Sequence, residues 1–337
     1  MEEQGIVEEY YHAELLHKAG YNIVRPLRTL HQKGQQMVIY PVIHAPVMFD
    51  LMRAVETGDT SQADIEVLAA AERRECERLL RIYSETLTAS TAEEHAHAPI
   101  HQLFWHRLTG GRLASFYQDK WVPFPAQPGA EEERQGISFA DLLHCQWTIN
   151  GEEVGEYGQT LAQLIERAQE VLQPDQAALT VIGHGDAHFG NVFLEQQTNY
   201  QYFDPAFAGR HAPLLDIVKP YFHNVFATWM YFPQEVEQEL SLSVQVQDGR
   251  IIVEHNYALT PVRQAILDSK RNYLLPPLLE LLRERQALPD NWEEVMRLAL
   301  LCCPLLTVDL LDVSKRSAAI CWLGLSQVMQ MGNLALL

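Results

Sequence analysis

The amino-acid sequence predicts a mixed α+β fold, with a small mixed segment at the front and a mostly helical body. Helical periodicity is longest over residues 62–89 and returns from about residue 261 to the end. Residues alternate on both sides of Asp248–Gly249, which predicts a β-hairpin at 240–257. Strand-like runs also surround a polar cluster at 184–191. A chain of 337 residues is long enough for two domains, or for one domain with a second lobe.

The remaining elements follow from periodicity and from turn residues. Residues 2–19 predict a helix that stops at Gly20, and residues 24–43 predict a hairpin of two short strands. Residues 122–137 are rich in proline, glycine and charge, which predicts a surface loop. Three further helices are predicted at 45–56, 99–118 and 158–174, and the second of them has a candidate break at Gly110–Gly111. Three short strands are predicted at 178–185, 191–196 and 200–205.

The charge balance and the cysteines narrow the class of protein. The formal net charge is −19, from 44 acidic and 25 basic residues, which argues against binding to nucleic acid. Five cysteines form no C-x-x-C pair, which is typical of reduced thiols in a cytoplasmic protein. The acidic N-terminus lacks a signal-peptide pattern, and Pro304, Asp309 and Asp312 interrupt the most apolar run. We therefore expect no membrane span, and the oligomeric state is left open.

The polar cluster at 184–191 has a spacing that suits phosphate transfer. His184, Asp186 and Asn191 fit the pattern H-x-D-x-x-x-x-N, and Asp204 ends an apolar strand 13 residues after Asn191. Phosphate transfer needs a carboxylate against the accepting hydroxyl and oxygen ligands for Mg²⁺. A turn between the two strands would bring Asp204 back beside Asn191, so that both could bind one ion.

The segments HGDAHFGN and FDP, followed by Asp216 in HAPLLDIV, resemble the aminoglycoside phosphotransferase and choline kinase family, which has a protein-kinase-like fold. The resemblance spans residues 1–230 in the order of elements, but its specific motifs lie within 184–216. It implies a two-lobed fold, with a reduced N-terminal lobe at 1–45 and a mostly helical catalytic lobe at 46–337. The 240–257 hairpin is an insert in the catalytic lobe and has no counterpart that the resemblance explains.

The same resemblance assigns roles to five residues and implies ATP and Mg²⁺ as cofactors. Asp186 is the catalytic base, and His184 braces its loop. Asn191 and Asp204 hold the magnesium ion and, through it, the nucleotide. Asp216 supports the catalytic loop from below.

Four other side chains are candidates for the substrate cleft, and each has a plainer alternative. His188 either lines the substrate site or caps the loop. Arg210 and His211 follow the metal-binding aspartate and either reach the cleft or belong to a helix start. Trp105 belongs to an aromatic group whose helical spacing favours core packing, with an aromatic box around a substrate as the alternative.

Two features expected of a kinase are missing from the sequence. No G-x-G-x-x-G motif precedes the first helix, and no strand lysine of the V-A-I-K kind occurs. Either the natural chain starts further upstream or the protein has lost its nucleotide lid. Three functions are open: a phosphotransferase acting on a small-molecule hydroxyl (amino-sugar, amino-alcohol or sugar-like), a kinase-fold binding or scaffold protein without catalysis, and a metal-dependent hydrolase using His184, Asp186 and His188.

Overall fold

The α+β class is the one observed in a computed structural model, which describes residues 2–30, 37–58, 61–125, 136–155 and 159–336. Helices dominate and the sheets are small. The described helices are α1 Glu2–Ala19, α2 Met48–Thr57, α3 Gln62–Thr86, α4 Ala92–Ala96, α5 Trp105–Thr109, α6 Arg112–Tyr117, α7 Phe139–Leu142, α8 Leu161–Val171, α9 Pro213–Val225, α10 Thr228–Tyr231, α11 Pro233–Glu239, α12 Pro261–Tyr273, α13 Leu275–Glu284, α14 Trp292–Thr307 and α15 Ala318–Gly332. The described strands are β1 Arg28–Leu30, β2 Met37–Ile39, β3 Thr88–Ser90, β4 Trp121–Pro123, β5 Gly136–Ser138, β6 Gln146–Ile149, β7 Glu152–Val154, β8 Ala178–Gly183, β9 Val192–Glu195, β10 Asn199–Tyr202, β11 Gly209–His211, β12 Leu242–Gln247 and β13 Arg250–His255.

The chain forms two compact units, each made of three separate stretches of sequence. The first unit comprises Met1–His101, Pro174–Val225 and Leu259–Trp292. The second comprises Gln102–Gln173, Phe226–Ala258 and Glu293–Leu337. The lobe boundary near residue 45 stays a prediction.

In the first unit, two small β structures present the polar cluster. Strand β8 pairs with β3 on one side and β11 on the other, both antiparallel. Strands β9 and β10 form an antiparallel hairpin, with Tyr202 opposite Val192. Backbone bonds hold this hairpin from both sides: Val24 N donates to Tyr202 O over 2.7 Å, and Leu194 N donates to Pro46 O over 2.9 Å.

Three helices of the first unit pack beneath these strands. Helix α3 begins with a capping box in which Ser61 and Asp64 each accept a hydrogen bond from the other's backbone N–H. It ends at Thr86, three residues before the predicted end, because the Thr86 hydroxyl accepts a bond from Ile182 N (3.1 Å) and the chain continues as β3. Helix α9 is buried along its whole length, and α12 packs on both α3 and α9. This layer fixes the loop that follows β8.

The front hairpin is shorter than the sequence predicts. Thr29 pairs with Val38, but among the residues described here each strand has three residues instead of about eight. Pro26 and Pro41 flank the paired segment, and proline has no N–H to donate to a strand ladder. The turn of the hairpin, residues 31–36, lies outside the described residues.

Two further segments, at 99–118 and 122–137, depart from the predicted elements. The helix predicted at 99–118 is a 3-10 turn at Pro99–Gln102 followed by α5 and α6, with Gly111 in the left-handed conformation (φ +90°) before α6. The predicted loop at 122–137 begins and ends in the paired strands β4 and β5, and its residues 126–135 lie outside the described part.

A four-stranded sheet in the order β12-β13-β6-β7 is the main β structure of the second unit. Strands β12 and β13 form the hairpin expected near 240–257, and its turn residues Asp248 and Gly249 both have positive φ (+51° and +75°). Strand β13 also pairs in parallel with β6. Helices α14 and α15 are largely buried. Among the helices described, none combines the length and the hydropathy needed to cross a membrane.

Candidate active site

The four residues of the predicted motif come together in the first unit. Strand β8 ends at Gly183, the loop runs from His184 to a 3-10 turn at Phe189–Asn191, and β9 follows directly. Phe203 N donates to Asn191 O over 3.1 Å at the open end of the β9–β10 hairpin, so that Asp204 follows beside Asn191. Asp204 has a left-handed backbone (φ +54°), which aspartate tolerates better than most residues.

His184 lies at the centre of the loop and is fully buried. Its Nε2 lies 3.0 Å from Phe203 O, and its Nδ1 accepts a hydrogen bond of 3.4 Å from Asp186 N. These two bonds require the neutral tautomer with the proton on Nε2. Burial lowers the pKa of His184, although the nearby Asp186 carboxylate opposes the shift. The ring therefore joins the two segments that carry Asp186 and Asp204.

Asp186 has one buried carboxylate oxygen and a side chain that remains 15% exposed. The ammonium Nζ of Lys219 lies 2.7 Å from Asp186 Oδ1, and His188 Nε2 lies 3.8 Å from the same oxygen. Oδ1 nevertheless has no aligned hydrogen-bond donor, so the contact with Lys219 is an ion pair rather than a well-directed hydrogen bond. The Asp186 backbone carbonyl accepts a bond of 2.9 Å from Asn191 Nδ2, which fixes the two ends of the loop relative to each other.

Asp216 connects the loop to helix α9. Its Oδ1 accepts bonds of 2.8 Å from Gly185 N and from His211 Nδ1, and its Oδ2 accepts a bond from the Tyr83 hydroxyl. Burial alone raises the pKa of this carboxyl, but the three donors lower it overall below its ordinary value. A Cβ at Gly183 would lie 2.3 Å from the carboxylate, which explains the glycine there. Asp216 thus lies where a support for the loop is expected.

The candidate cleft residues do not share one environment. His188 accepts a bond from Gly190 N on its Nδ1 (3.0 Å) and thereby caps the 3-10 turn, while its Nε2 faces Asp186. His211 is fully buried against Asp216, and Arg210 is exposed, with its guanidinium donating to Thr86 O over 3.2 Å. Trp105 belongs to the second unit, where its indole N–H donates to Gln169 O over 3.0 Å.

Asn191 and Asp204 offer the kind of ligands that Mg²⁺ takes. Because Asn191 Nδ2 is bonded to the Asp186 carbonyl, its Oδ1 is the atom left for a metal, and Asp204 supplies a carboxylate. These are hard oxygen donors, and magnesium bound to nucleotide phosphates needs only one or two from the protein. Within the described ranges, no group of three or more His, Cys, Asp or Glu could hold a metal ion. Both ring nitrogens of His184 are engaged within the chain, at Phe203 O and at Asp186 N.

Several residues of the site were not among those predicted from the sequence. Lys219 is one helical turn after Asp216, a position that predicts contact with the same loop only once α9 is known to pack there. Asn224, near the end of α9, accepts a bond of 2.8 Å from Phe189 N. The Asn224 carbonyl in turn accepts from Arg263, which forms a buried ion pair with Glu56 at 2.5 Å. Polar residues in the otherwise apolar α9 are the signal that would have found Lys219 and Asn224.

A second polar layer lies behind the loop, where a cavity of about 30 Å³ opens. Lys270 and Glu72 form a buried ion pair at 2.6 Å, and the Tyr200 hydroxyl also donates to Glu72 over 2.8 Å. The Tyr202 hydroxyl donates to Glu75 over 3.0 Å. Because Tyr202 is two residues before Asp204, this layer supports the strand that carries the metal-binding candidate.

The chain is similar to solved structures, whereas comparisons with protein-family models and with curated proteins find no match. Crystal form B of glucosamine kinase has a TM-score of 0.48 and 17% identity over 94% of this chain and 68% of its own. A glucosamine kinase in complex with glucosamine, ADP and inorganic phosphate has a TM-score of 0.48 and 16% identity, over 95% of this chain and 68% of the kinase chain. Crystal form A has a TM-score of 0.46 and 17% identity, over 94% of this chain and 66% of the kinase chain. This chain thus spans about two thirds of the length of these kinase chains.

Proposed function

We propose that this protein is an ATP- and Mg²⁺-dependent phosphotransferase that acts on a hydroxyl group of a small molecule. The observation that carries the proposal is the placement of Asp186, Asn191 and Asp204 at the open end of one hairpin. The backbone bond between Phe203 and Asn191 sets that placement. The resemblance of these residues to the aminoglycoside phosphotransferase and choline kinase family supports the same function. An amino-sugar, an amino-alcohol or a sugar-like compound would be the acceptor.

The chemistry asks the chain for position and charge more than for covalent bonds. The Asp186 carboxylate takes the proton of the acceptor hydroxyl while that oxygen forms a bond to the γ-phosphorus. The bond from the γ-phosphorus to the β,γ-bridging oxygen breaks, and its electron pair leaves on ADP. Asn191 and Asp204 would hold magnesium, which supplies positive charge to the phosphates when bound. His184 and Asp216 keep the loop in the geometry that this transfer requires.

The test is transfer of labelled γ-phosphate from ATP to a panel of alcohols. The panel includes a hexosamine, a neutral hexose and choline-like amino-alcohols, with and without EDTA. We expect magnesium-dependent transfer to at least one class of acceptor, and loss of that transfer in Asp186→Asn. Asp175→Asn is the matched control, because Asp175 is an exposed aspartate outside the loop. Absence of transfer to every class would overturn the proposal, and Mg–ATP binding without transfer would favour the non-catalytic kinase-fold protein.

A further inference from the structure

Lys219 is a buried cation in direct contact with the proposed base. It lies in the middle of α9, and only 7% of its side chain is exposed. Burying an ammonium group is costly unless a carboxylate compensates the charge. In the part of the chain that the structure describes, the carboxylate at ion-pair distance from Lys219 is that of Asp186, at 2.7 Å. The position of this lysine therefore depends on the Asp186 side chain.

Lys219 and His188 both approach the same oxygen of the Asp186 carboxylate. Lys219 Nζ is 2.7 Å and His188 Nε2 is 3.8 Å from Oδ1. The Gly190 N–H donates to His188 Nδ1, so the ring proton of the neutral tautomer is on Nε2, the nitrogen that lies 3.8 Å from Oδ1 of Asp186. Oδ1 is buried, so the exposed surface of the Asp186 side chain does not include this oxygen. Oδ2 is the oxygen that remains for a substrate.

The attachment of α9 to the loop does not require the ion pair between Lys219 and Asp186. The helix is already joined to the loop on both sides of it: Asp216 bonds to Gly185 N, and Asn224 bonds to Phe189 N, each at 2.8 Å. A buried ion pair is, besides, seldom more stabilising than apolar residues of the same volume. The ion pair instead involves Asp186, the carboxylate of the loop that would accept a proton in the proposed reaction.

We propose that Lys219 is a positioning residue that holds Oδ1 of Asp186, so that Oδ2 is the oxygen that accepts the hydroxyl proton. This inference rests on the proposed function. The proton moves from the acceptor hydroxyl to Oδ2 as the acceptor oxygen bonds to the γ-phosphorus and ADP leaves with the electrons of the broken bond. Without Lys219 the carboxylate can rotate about its χ2 angle, and the reacting oxygen loses its fixed direction.

The kinetic test compares Lys219→Met, which keeps the length and removes the charge, with Lys219→Arg, which keeps the charge. Lys315→Met is the control, because the Lys315 side chain is 72% exposed. We expect Lys219→Met to lower kcat by roughly tenfold or more, with the KM for ATP within about twofold of wild type. Lys219→Arg should recover part of the loss. A kcat for Lys219→Met within about twofold of wild type would overturn the inference.

A double variant separates positioning from a merely structural role. If Lys219 acts through Asp186, then Lys219→Met should add no further loss of kcat to Asp186→Asn, because the group it positions is already gone. Additive losses in kcat would contradict the inference.

Thermal unfolding tests the pairing without any assay of transfer. Asp186→Asn leaves the buried ammonium without its partner and should lower Tm, and adding Lys219→Met should restore most of that loss. Equal Tm losses that simply add would contradict the pairing. A restored Tm together with a wild type that transfers no phosphate would overturn the proposed function and the proton step, and would leave the pairing as a structural fact.

Discussion

Glu75 is expected to make the stability of the protein fall as the pH rises, and Glu75→Gln should remove that fall. The side chain is buried on α3, where its Oε1 accepts a bond of 3.0 Å from the Tyr202 hydroxyl. Burial raises the pKa of Glu75 from 4.5 to about 8. The Arg78 guanidinium, 3.5 Å from Oε2, and the bond from Tyr202 oppose the shift, and the nearby Glu72 adds to it.

The sign and the size of the effect follow from proton linkage. Between the ordinary value of 4.5 and the folded value of about 8, the folded protein keeps a proton on Glu75 that the unfolded chain has lost. The free energy of unfolding therefore decreases with rising pH, by at most about 1.4 kcal/mol per pH unit for one group. Integrated from pH 6 to pH 8, this amounts to roughly 2 kcal/mol. Glutamine is neutral at all these pH values and contributes no such slope.

The assay is urea unfolding, followed by far-UV circular dichroism, at several pH values between about 6 and 8. The quantity to compare is the difference in unfolding free energy between Glu75→Gln and wild type, since other titrating groups cancel in that difference. Between pH 6 and pH 8, the unfolding free energy of Glu75→Gln should increase relative to that of wild type by roughly 2 kcal/mol. Glu77→Gln on the exposed side of α3 is the control and should show no pH-dependent difference. A difference between Glu75→Gln and wild type that does not change with pH would show that the pKa of Glu75 is not raised in the folded protein.

Two further predictions concern the catalytic loop. Asp186→Asn should lower phosphate transfer by roughly 10²–10⁴-fold and leave Mg–ATP affinity within about twofold, as steady-state rates and calorimetry would show; unchanged transfer would remove Asp186 as the base. Asp216→Ala should lower the free energy of unfolding by about 3–5 kcal/mol, because it leaves three buried donors without an acceptor. The pKa of Asp216 is lowered in the folded protein, so its carboxylate stabilises the fold above the ordinary pKa of about 3.9, and this stabilisation is lost as the pH falls through the folded pKa. During acid titration, Asp216→Asn should therefore lose less stability than wild type.

The sequence predicts the turn that brings Asn191 and Asp204 together, because the geometry of that turn is local. His184, Asp186, Asn191 and Asp204 lie within 21 residues, and one hairpin is enough to bring the last two together. The hairpin around Asp248–Gly249 was equally predictable, because a two-residue turn with positive φ at both positions favours these residue types. Local rules therefore account for the loop and for the clearest turn.

The rest of the site depends on packing between distant segments, which periodicity does not specify. Lys219 reaches Asp186 only because α9 packs beneath the loop, and Lys270 pairs with Glu72 across 198 residues of sequence. The helix predicted at 99–118 is interrupted at Gly110–Gly111, where its glycines indicated a break, but the 3-10 turn at Pro99–Gln102 was not predicted. The two compact units are each assembled from three stretches of chain, and no composition change marks their borders.

Calorimetric titration with ATP tests whether Asn191 and Asp204 form the proposed magnesium-dependent nucleotide site. The titration is made on wild type and on Asp204→Asn, each with and without Mg²⁺. We predict ATP binding that needs magnesium in the wild type and is weakened at least roughly tenfold in Asp204→Asn, since one of two protein ligands to the ion loses its charge. Asp248→Asn, in the exposed turn of the second unit, should bind as wild type does. An ATP affinity that is the same in Asp204→Asn, or that does not depend on magnesium, would show that Asn191 and Asp204 do not form this site.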